Sequence, residues 1–391
     1  MASERLRKLV VDIAKENDYG NPEIAINPIN TGGANYTSAL FTIIVSESDK
    51  EDLNLFAKVI NVNEAIRSQL PEGIFDIERL AYEDLLKKYE DIEIAQNLPS
   101  SKRFVIPKYY GCNPKLFEEI IVLENLTEKG FTTYDRFKSI DWEYAAKAVE
   151  TLAKYHALSM AYKEKHPEEF KQFTDNLKFQ REMFTGVLRQ LFVQRTATAL
   201  AVTSEKHKSK LERYLKTEMT LDAVIKLSES PQRPVLCHGD YRPSNLMHRY
   251  NEDGSLEVIP VDFQTLQYGC PISDLLYFIF TGSDEKFRRQ YFQDLTDHYY
   301  QELNSALRAL ELNPDVIYPK RAFELDLKEF LPFGLIIAIF SLPIVTVEVE
   351  DAPSMQADSS LEKVAKAKTG SSYPERMNGV INDFFRWGII E

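Results

Sequence analysis

Three cysteines, Cys112, Cys237 and Cys270, are too few and too scattered for a disulfide framework or a structural zinc site. Their odd number and wide spacing read as buried thiols of a reducing compartment, so a cytoplasmic chain is expected. Positive charge is also short. The 47 Lys and Arg against 60 Asp and Glu leave a formal net charge of −13. Such a chain does not offer a nucleic-acid or anionic-membrane surface. Met1 to Val10 is charged and has no apolar core, so it does not read as a signal peptide. The Asn-x-Thr sequons at Asn35 and Asn125 are therefore expected to carry no glycan. There is no internal repeat and no low-complexity segment. One long uncharged run exists, Phe330 to Val347, but Pro332, Gly334 and Pro343 interrupt it and acidic residues flank it. It reads as a buried core helix rather than a membrane span. The rest is ordinary for a soluble globular protein: 44% hydrophobic and 27% charged residues over 391 positions, one large domain or two modest ones.

The chemistry gathers between residues 234 and 264. Val235 to Cys237 is a short apolar run that leads into a polar loop carrying His238, Asp240 and Asn245. Leu246 to Tyr250 and Leu256 to Val261 flank Asn251-Glu252-Asp253-Gly254, a turn by composition, which predicts a β-hairpin. A hairpin brings the start of its first strand beside the end of its second. Asn245 and Asp262 are thus expected together at its open end, with Asp240 in the loop that enters there. Asn245 and Asp262 offer hard oxygen ligands and no sulfur or imidazole, which suits Mg²⁺. Asp240 is a carboxylate placed to take a proton from a hydroxyl. His-x-Asp-x₄-Asn followed by Asp-Phe after a hairpin is the arrangement of phosphoryl transfer, one base and two metal ligands. The bland alternative is a polar turn beside an ordinary hairpin.

Upstream parts answer to the same template. Strands are expected at Glu23 to Asn30 and Ala39 to Val45, with Gly32, Gly33, Asn35 and Tyr36 between them. The glycines allow a tight turn and close approach to a phosphate, though any hairpin can hold two glycines. Lys58 lies inside an apolar strand, Leu53 to Ile60, and is costly there unless paired. Glu78, beside the helical stripe Ile74, Ile77, Ala81 and Leu85, is the candidate partner; two unrelated surface charges are the alternative. Phe104 to Gly111 and Glu119 to Glu124 read as further strands. Asp141 is the expected N-cap of a helix whose apolar face carries Trp142, Ala145, Val149, Leu152, His156 and Met160. His156 then reads as a satisfied core histidine. Residues 167 to 228 read as helical, with Phe170, Phe173, Phe179, Phe184 and Phe192 mostly core. Asp274 to Phe280, Phe287 to Leu307 and Pro374 to Trp387 are further helices, and Asp351 to Gly370 is a polar surface stretch.

His238-Gly239-Asp240, Asn245 and Asp262-Phe263-Gln264 resemble the small-molecule branch of the protein-kinase-like superfamily, to which choline kinases and aminoglycoside phosphotransferases belong. With the run Tyr268-Gly269-Cys270-Pro271-Ile272-Ser273-Asp274-Leu275-Leu276-Tyr277, the closer resemblance is to the ecdysteroid-kinase-like family, over nearly the whole chain. One departure is Arg242 followed by Pro243, where that family usually has a Trp two residues after the loop Asp. It bears on substrate contacts and leaves the metal and base positions alone.

The resemblance implies an α+β, two-lobed protein-kinase-like fold. A strand-rich N-lobe would span 1–126 and a helix-rich C-lobe 127–391, with ATP and Mg²⁺ in the cleft. Asp240 would be the catalytic base, and Asn245 and Asp262 the metal ligands. Gly32, Gly33, Asn35, Tyr36, Lys58 and Glu78 would serve the nucleotide, with the backbone at Glu124 and Leu126 meeting adenine. His238 would brace the loop. The implied reaction is phosphorylation of a small-molecule alcohol, an ecdysteroid at its side-chain 22-hydroxyl. Choline-like or xenobiotic alcohols are the alternatives within enzymes, and a pseudokinase acting as a binding or scaffold protein is the alternative outside them. Intact Lys58, Asp240, Asn245 and Asp262 speak against the last. Protein substrates fit poorly, because Asp262-Phe263-Gln264 runs at once into Tyr268 and a helix and leaves no room for a long activation loop. The helical insert of 141 to 230 suits an enclosed pocket.

Overall fold

The computed structural model describes residues 2–29, 38–62, 67, 76–177, 187–229, 232–351 and 368–391. Gly32, Gly33, Asn35 and Tyr36 lie outside the described residues, as do Ile74, Phe179, Phe184 and most of the polar stretch after Asp351.

Five antiparallel strands form the first sheet: β1 (Glu23–Ile29), β2 (Ser38–Ser46), β3 (Leu53–Ile60), β4 (Tyr109–Asn113) and β5 (Ile120–Glu124), in the order β1-β2-β3-β5-β4. Residues 104–108 are not strand. Pro107 has no N–H to give a ladder, and pairing begins at Tyr109. The period of two along a strand sorts the side chains. Leu55, Ala57 and Val59 of β3 and Ile120 and Val122 of β5 share a core with Leu6, Val10 and Ile13 of the helix Ala2–Glu16. Each of these larger aliphatic side chains contributes about 1.5–3 kcal/mol by leaving water. The alternate residues face the other way. Ile121 and Leu123 belong to a second core, and Phe56 packs against it. Lys58, two residues on from Phe56, is on that same side.

The second core is entered through residues 76–95. Asp76–Leu80 is α-helical, Ala81–Leu85 makes a π turn and Leu86–Ala95 returns to α. The apolar spacing Ile77, Ala81, Leu85 is four residues each time. That exceeds the α period of 3.6, so it suits a locally wider turn. Ile77, Tyr82, Leu85 and Tyr89 of this run are buried with Leu152 and Tyr155 of the helix Trp142–Lys165. Asp141 caps that helix, its Oδ1 accepting from the Tyr144 N–H at 2.9 Å. The longer helices further along the described residues are Pro167–Asn176, Val187–Val202, Glu205–Thr217, Leu221–Glu229, Pro271–Gly282, Glu285–Ala309, Lys320–Val345 and Tyr373–Arg386. Phe170 and Phe192 are core residues, and Phe173 packs half-buried against that core.

Lys320–Val345 is the one helix among the described residues long and apolar enough to cross a membrane. Its apolar face is used inside the protein: Leu335, Ala338, Ile339 and Leu342 are fully buried. Gly334 sits so close to Phe280 that a Cβ there would meet the ring at 2.3 Å. Pro332 and Pro343 lie within the helix, as a core segment tolerates when packing outweighs the lost backbone bonds. The chain is thus α+β, a strand-rich first part followed by a helical remainder. Two small sheets in the helical part position the site: β7 (Val235–Cys237) with β10 (Gln267–Gly269), and β6 (Thr132–Thr133), β8 (Leu246–Tyr250) and β9 (Leu256–Pro260).

Candidate active site

The hairpin forms with Leu246 opposite Pro260 and Tyr250 opposite Leu256. Its turn closes with the Asn251 N–H donating to the Ser255 carbonyl at 2.9 Å, and Gly254 supplies the positive φ of 80°. At the open end the Val261 N–H donates to the Asn245 carbonyl at 2.9 Å. Asn245 and Asp262 therefore adjoin. Asn245 also reaches back, its Nδ2 donating to Asp240 Oδ2 at 2.8 Å and to the Asp240 carbonyl at 3.0 Å. From the other side Arg242 Nε donates to the same Oδ2 at 3.1 Å. The second oxygen, Asp240 Oδ1, is buried and has no hydrogen bond of ordinary geometry among the described residues. The Tyr277 phenol lies beside this carboxylate. Burial first, and then the Asp240 charge, push its pKa up, and Ser341 Oγ donates to it at 3.0 Å.

The loop that carries Asp240 is fixed by its backbone. The His238 and Gly239 N–H groups donate to the two oxygens of Asp274, at 2.7 Å and 2.8 Å. His238 Nε2–H donates to the Val261 carbonyl at 3.1 Å, which leaves Nδ1 to accept the Asp240 N–H at 3.3 Å. Gly239 has φ 83°, and a Cβ there would fall 2.1 Å from the Thr265 carbonyl oxygen. Asp274 takes a third donor, His156 Nε2 at 3.1 Å, and His156 Nδ1 accepts from Tyr299 at 2.7 Å. His156 is thus a fully buried, satisfied core histidine. Sequence reasoning left Asp274 without a role; the available signal was its place in the first turn of Pro271–Gly282, where a carboxylate suits unpaired N–H groups. His156, Cys237 and Asp274 lie close enough to suggest a metal cluster. The carboxylate and both ring nitrogens already have hydrogen-bond partners, and burial holds the thiol well above its ordinary pKa, so the cluster is structural.

Lys58 reaches into the same region. Its Nζ lies 2.8 Å from Glu78 Oε2, 2.5 Å from Asp262 Oδ1 and 3.3 Å from Gln264 Oε1. Burial alone would lower the Lys58 pKa, but Asp262 and Glu78 more than offset it and the ammonium is held more strongly than usual. Burial raises Glu78, partly countered by Lys58. For Asp262 burial works upward, yet Lys58 prevails and its pKa falls. Asp262 adopts φ 69° and ψ 64°, a left-handed conformation that Asp tolerates better than most residues. The donor types fit Mg²⁺: a carboxylate from Asp262 and an amide oxygen from Asn245 on adjoining backbone, with Asn245 Nδ2 committed to Asp240 so that its Oδ1 remains for a cation.

Glu124 pairs opposite Leu55 in the sheet; its carboxylate accepts the Lys108 N–H at 3.3 Å and ion-pairs with Lys129. Leu126 opens a 3₁₀ turn, Leu126–Lys129, capped by Asn125, which is buried. The first N–H groups of such a turn have no partner within it.

A family profile described as "Ecdysteroid kinase-like family" matches residues 32–312. No curated protein sequence matches the chain significantly. Among solved structures, an aminoglycoside-3'-phosphotransferase of type VIII is 16% identical, with a TM-score of 0.32, over 82% of this chain and 99% of that one. The GDP and kanamycin complex of APH(2")-IIia is 11% identical, with a TM-score of 0.41, over 82% and 98%. The GDP complex of wild-type aminoglycoside 2'-phosphotransferase-IIIa is 12% identical, with a TM-score of 0.36, over 84% and 98%.

Proposed function

Because this chain belongs to the ecdysteroid kinase-like family, and so is a kinase-type phosphotransferase acting on small-molecule hydroxyls, we propose that it transfers the γ-phosphoryl group of ATP to an ecdysteroid, at the side-chain 22-hydroxyl. The observation that carries the reading is Asp240: one carboxylate oxygen is held by Asn245 and Arg242, while the other is buried with only the Tyr277 phenol beside it among the described residues. A carboxylate oxygen accepts two donors, so a substrate hydroxyl can bond Oδ1 alongside the phenol.

The chemistry then follows. The substrate O–H gives its proton toward Asp240 Oδ1 as its oxygen forms a bond to the γ-phosphorus. The bond from that phosphorus to the bridging oxygen breaks, and ADP leaves. Lys58, braced by Glu78, would hold phosphate oxygens, and Asn245 and Asp262 would hold Mg²⁺. Mg²⁺ bound there would neutralise charge on the phosphates. The backbone at Glu124 and Leu126 would meet adenine at the junction of the strand-rich and helical parts. Gly32, Gly33, Asn35 and Tyr36 belong to the same nucleotide reading. We take the lobe boundary near residue 126.

The charge beside Asp240 bears on the acceptor. Choline needs aromatic faces and carboxylates, whereas here a guanidinium sits 3.1 Å from the base. An uncharged polyhydroxylated steroid meets no such repulsion, and its apolar face gains about 25 cal/mol per Å² buried. Incubation with ATP, Mg²⁺ and a panel of ecdysteroids, choline and xenobiotic alcohols, with phosphate esters detected by mass spectrometry, tests the reading. The expected product is an ecdysteroid phosphate, and the steroid should inhibit turnover of any other alcohol while choline does not. Saturable choline phosphorylation with no steroid product would overturn the acceptor. No ester from any alcohol would turn the reading toward a binding protein.

A further inference from the structure

Resting on that reading, we propose that Arg242 is a positioning residue: it fixes the plane of the Asp240 carboxylate so that a single oxygen meets the acceptor hydroxyl.

A carboxylate at the end of a short side chain turns easily, because its terminal torsion has a broad minimum. Asn245 supplies one donor to Oδ2, and the Tyr277 phenol lies beside the carboxylate. Arg242 Nε adds a charge-assisted bond to the same oxygen, at 3.1 Å. With two donors on Oδ2, turning the plane loses both bonds at once. The Arg242 and Asp240 side chains are only 16% and 13% exposed, so solvent screens the pair weakly.

The geometry of Arg242 is itself set by the chain. Its N–H donates to the Asp240 carbonyl at 3.0 Å, and its carbonyl accepts from the Asn245 N–H at 2.8 Å. Pro243 follows, and a residue before proline is confined to extended backbone. Arg242 has φ −128° and ψ 158°, inside that region. The proline is seated in turn, because Gly282 leaves it room. A Cβ on Gly282 would come within 2.8 Å of Pro243 Cγ. Arg242-Pro243 therefore forms one unit, the proline aiming the arginine at the base. Arg242 acts through Asp240, and its removal should slow the chemical step while leaving nucleotide binding alone.

The test compares Arg242→Ala, Arg242→Gln and Arg242→Lys with the wild-type enzyme. For Arg242→Ala, kcat should fall about tenfold or more, the scale of lost orientation, with KM for ATP unchanged. Added guanidinium at non-denaturing concentration should recover part of that loss in Arg242→Ala, and not in Arg242→Lys. A loss confined to KM for the acceptor, or kcat unchanged in Arg242→Ala, would overturn the proposal. High-resolution crystal structures of wild type and Arg242→Gln give a readout independent of turnover. The expectation is one Asp240 side-chain conformer in the wild type and more than one in the variant. A single shared conformer in both overturns the positioning role even in an active enzyme. Split conformers in a protein that phosphorylates no alcohol would overturn the proposed reaction and leave the role of Arg242 standing.

Discussion

Asp274→Asn replaces one atom in a buried carboxylate, and the structure says what that atom does. Three donors converge on the two oxygens: the Gly239 N–H on Oδ1, and the His238 N–H and His156 Nε2–H on Oδ2. An asparagine has one acceptor oxygen. Its best orientation keeps the two donors on the former Oδ2 and turns its NH₂ toward Gly239, donor against donor. One hydrogen bond to a charged acceptor is lost, about 1.5–3 kcal/mol, and an N–H is left buried without a partner, about 1–3 kcal/mol more. We expect a loss of about 3 kcal/mol in stability. The weakened anchor is the backbone immediately before Asp240, so turnover should fall with it. Urea unfolding followed by fluorescence of Trp142 and Trp387 measures the first quantity, and phosphate-ester formation by the folded variant the second. Tyr299→Phe removes only the outermost bond of the chain, the 2.7 Å contact to His156, and should cost about 1 kcal/mol with turnover nearly intact. Asp274→Asn within 0.5 kcal/mol of wild type, with normal turnover, would refute the reasoning.

Two further perturbations follow. Gly239→Ala must place its Cβ 2.1 Å from a backbone oxygen at φ 83°, whereas Gly254 has φ 80° and nothing within 4 Å. Gly254→Ala should therefore lose only about 1 kcal/mol and keep its rate, while Gly239→Ala displaces the loop and loses most turnover; equal rates in the two variants would refute the contrast. Glu93 is buried and accepts the Phe104 N–H at 2.7 Å, and burial pushes its pKa up to about 7 from an ordinary 4.5. A raised carboxyl pKa favours the folded state below pH 4.5 and withdraws that support as pH climbs to 7. Glu93→Gln should thus be the more stable protein at pH 8, by up to about 3 kcal/mol, with the difference shrinking toward pH 5 in urea titrations.

The hairpin and its open end were legible because two local signals agree there, a turn composition and apolar runs of strand length on either side. The strand around Lys58 was legible for the same reason, since a lone cation in an apolar run marks itself. What escaped reading is tertiary. Asp274 lies 36 residues after His238, and nothing local says that its two oxygens face two successive N–H groups. The contact of Arg242 with Asp240 depends on the rotamers of two side chains, which no periodicity encodes. The π turn at Ala81–Leu85 was hidden because a four-residue spacing reads as a helical stripe with or without it. The strand expected from Phe104 failed for a reason visible in retrospect, the missing N–H of Pro107.

The two-faced strands have a consequence for how this chain can change length. In β3 and β5 successive residues serve different cores, so a one-residue insertion upstream within either strand exchanges its faces. In β3 that would drive the Lys58 ammonium under the helix Ala2–Glu16 and bring an aliphatic side chain to Glu78 and Asp262. The turn after β2 carries no such parity: Asp49 already takes φ 67° there, exposed to water. Relatives of different length should therefore gain or lose residues between Ser46 and Leu53 in any number, and within β3 in none. Scanning single-codon insertions through residues 38 to 60 would draw the same boundary in the laboratory.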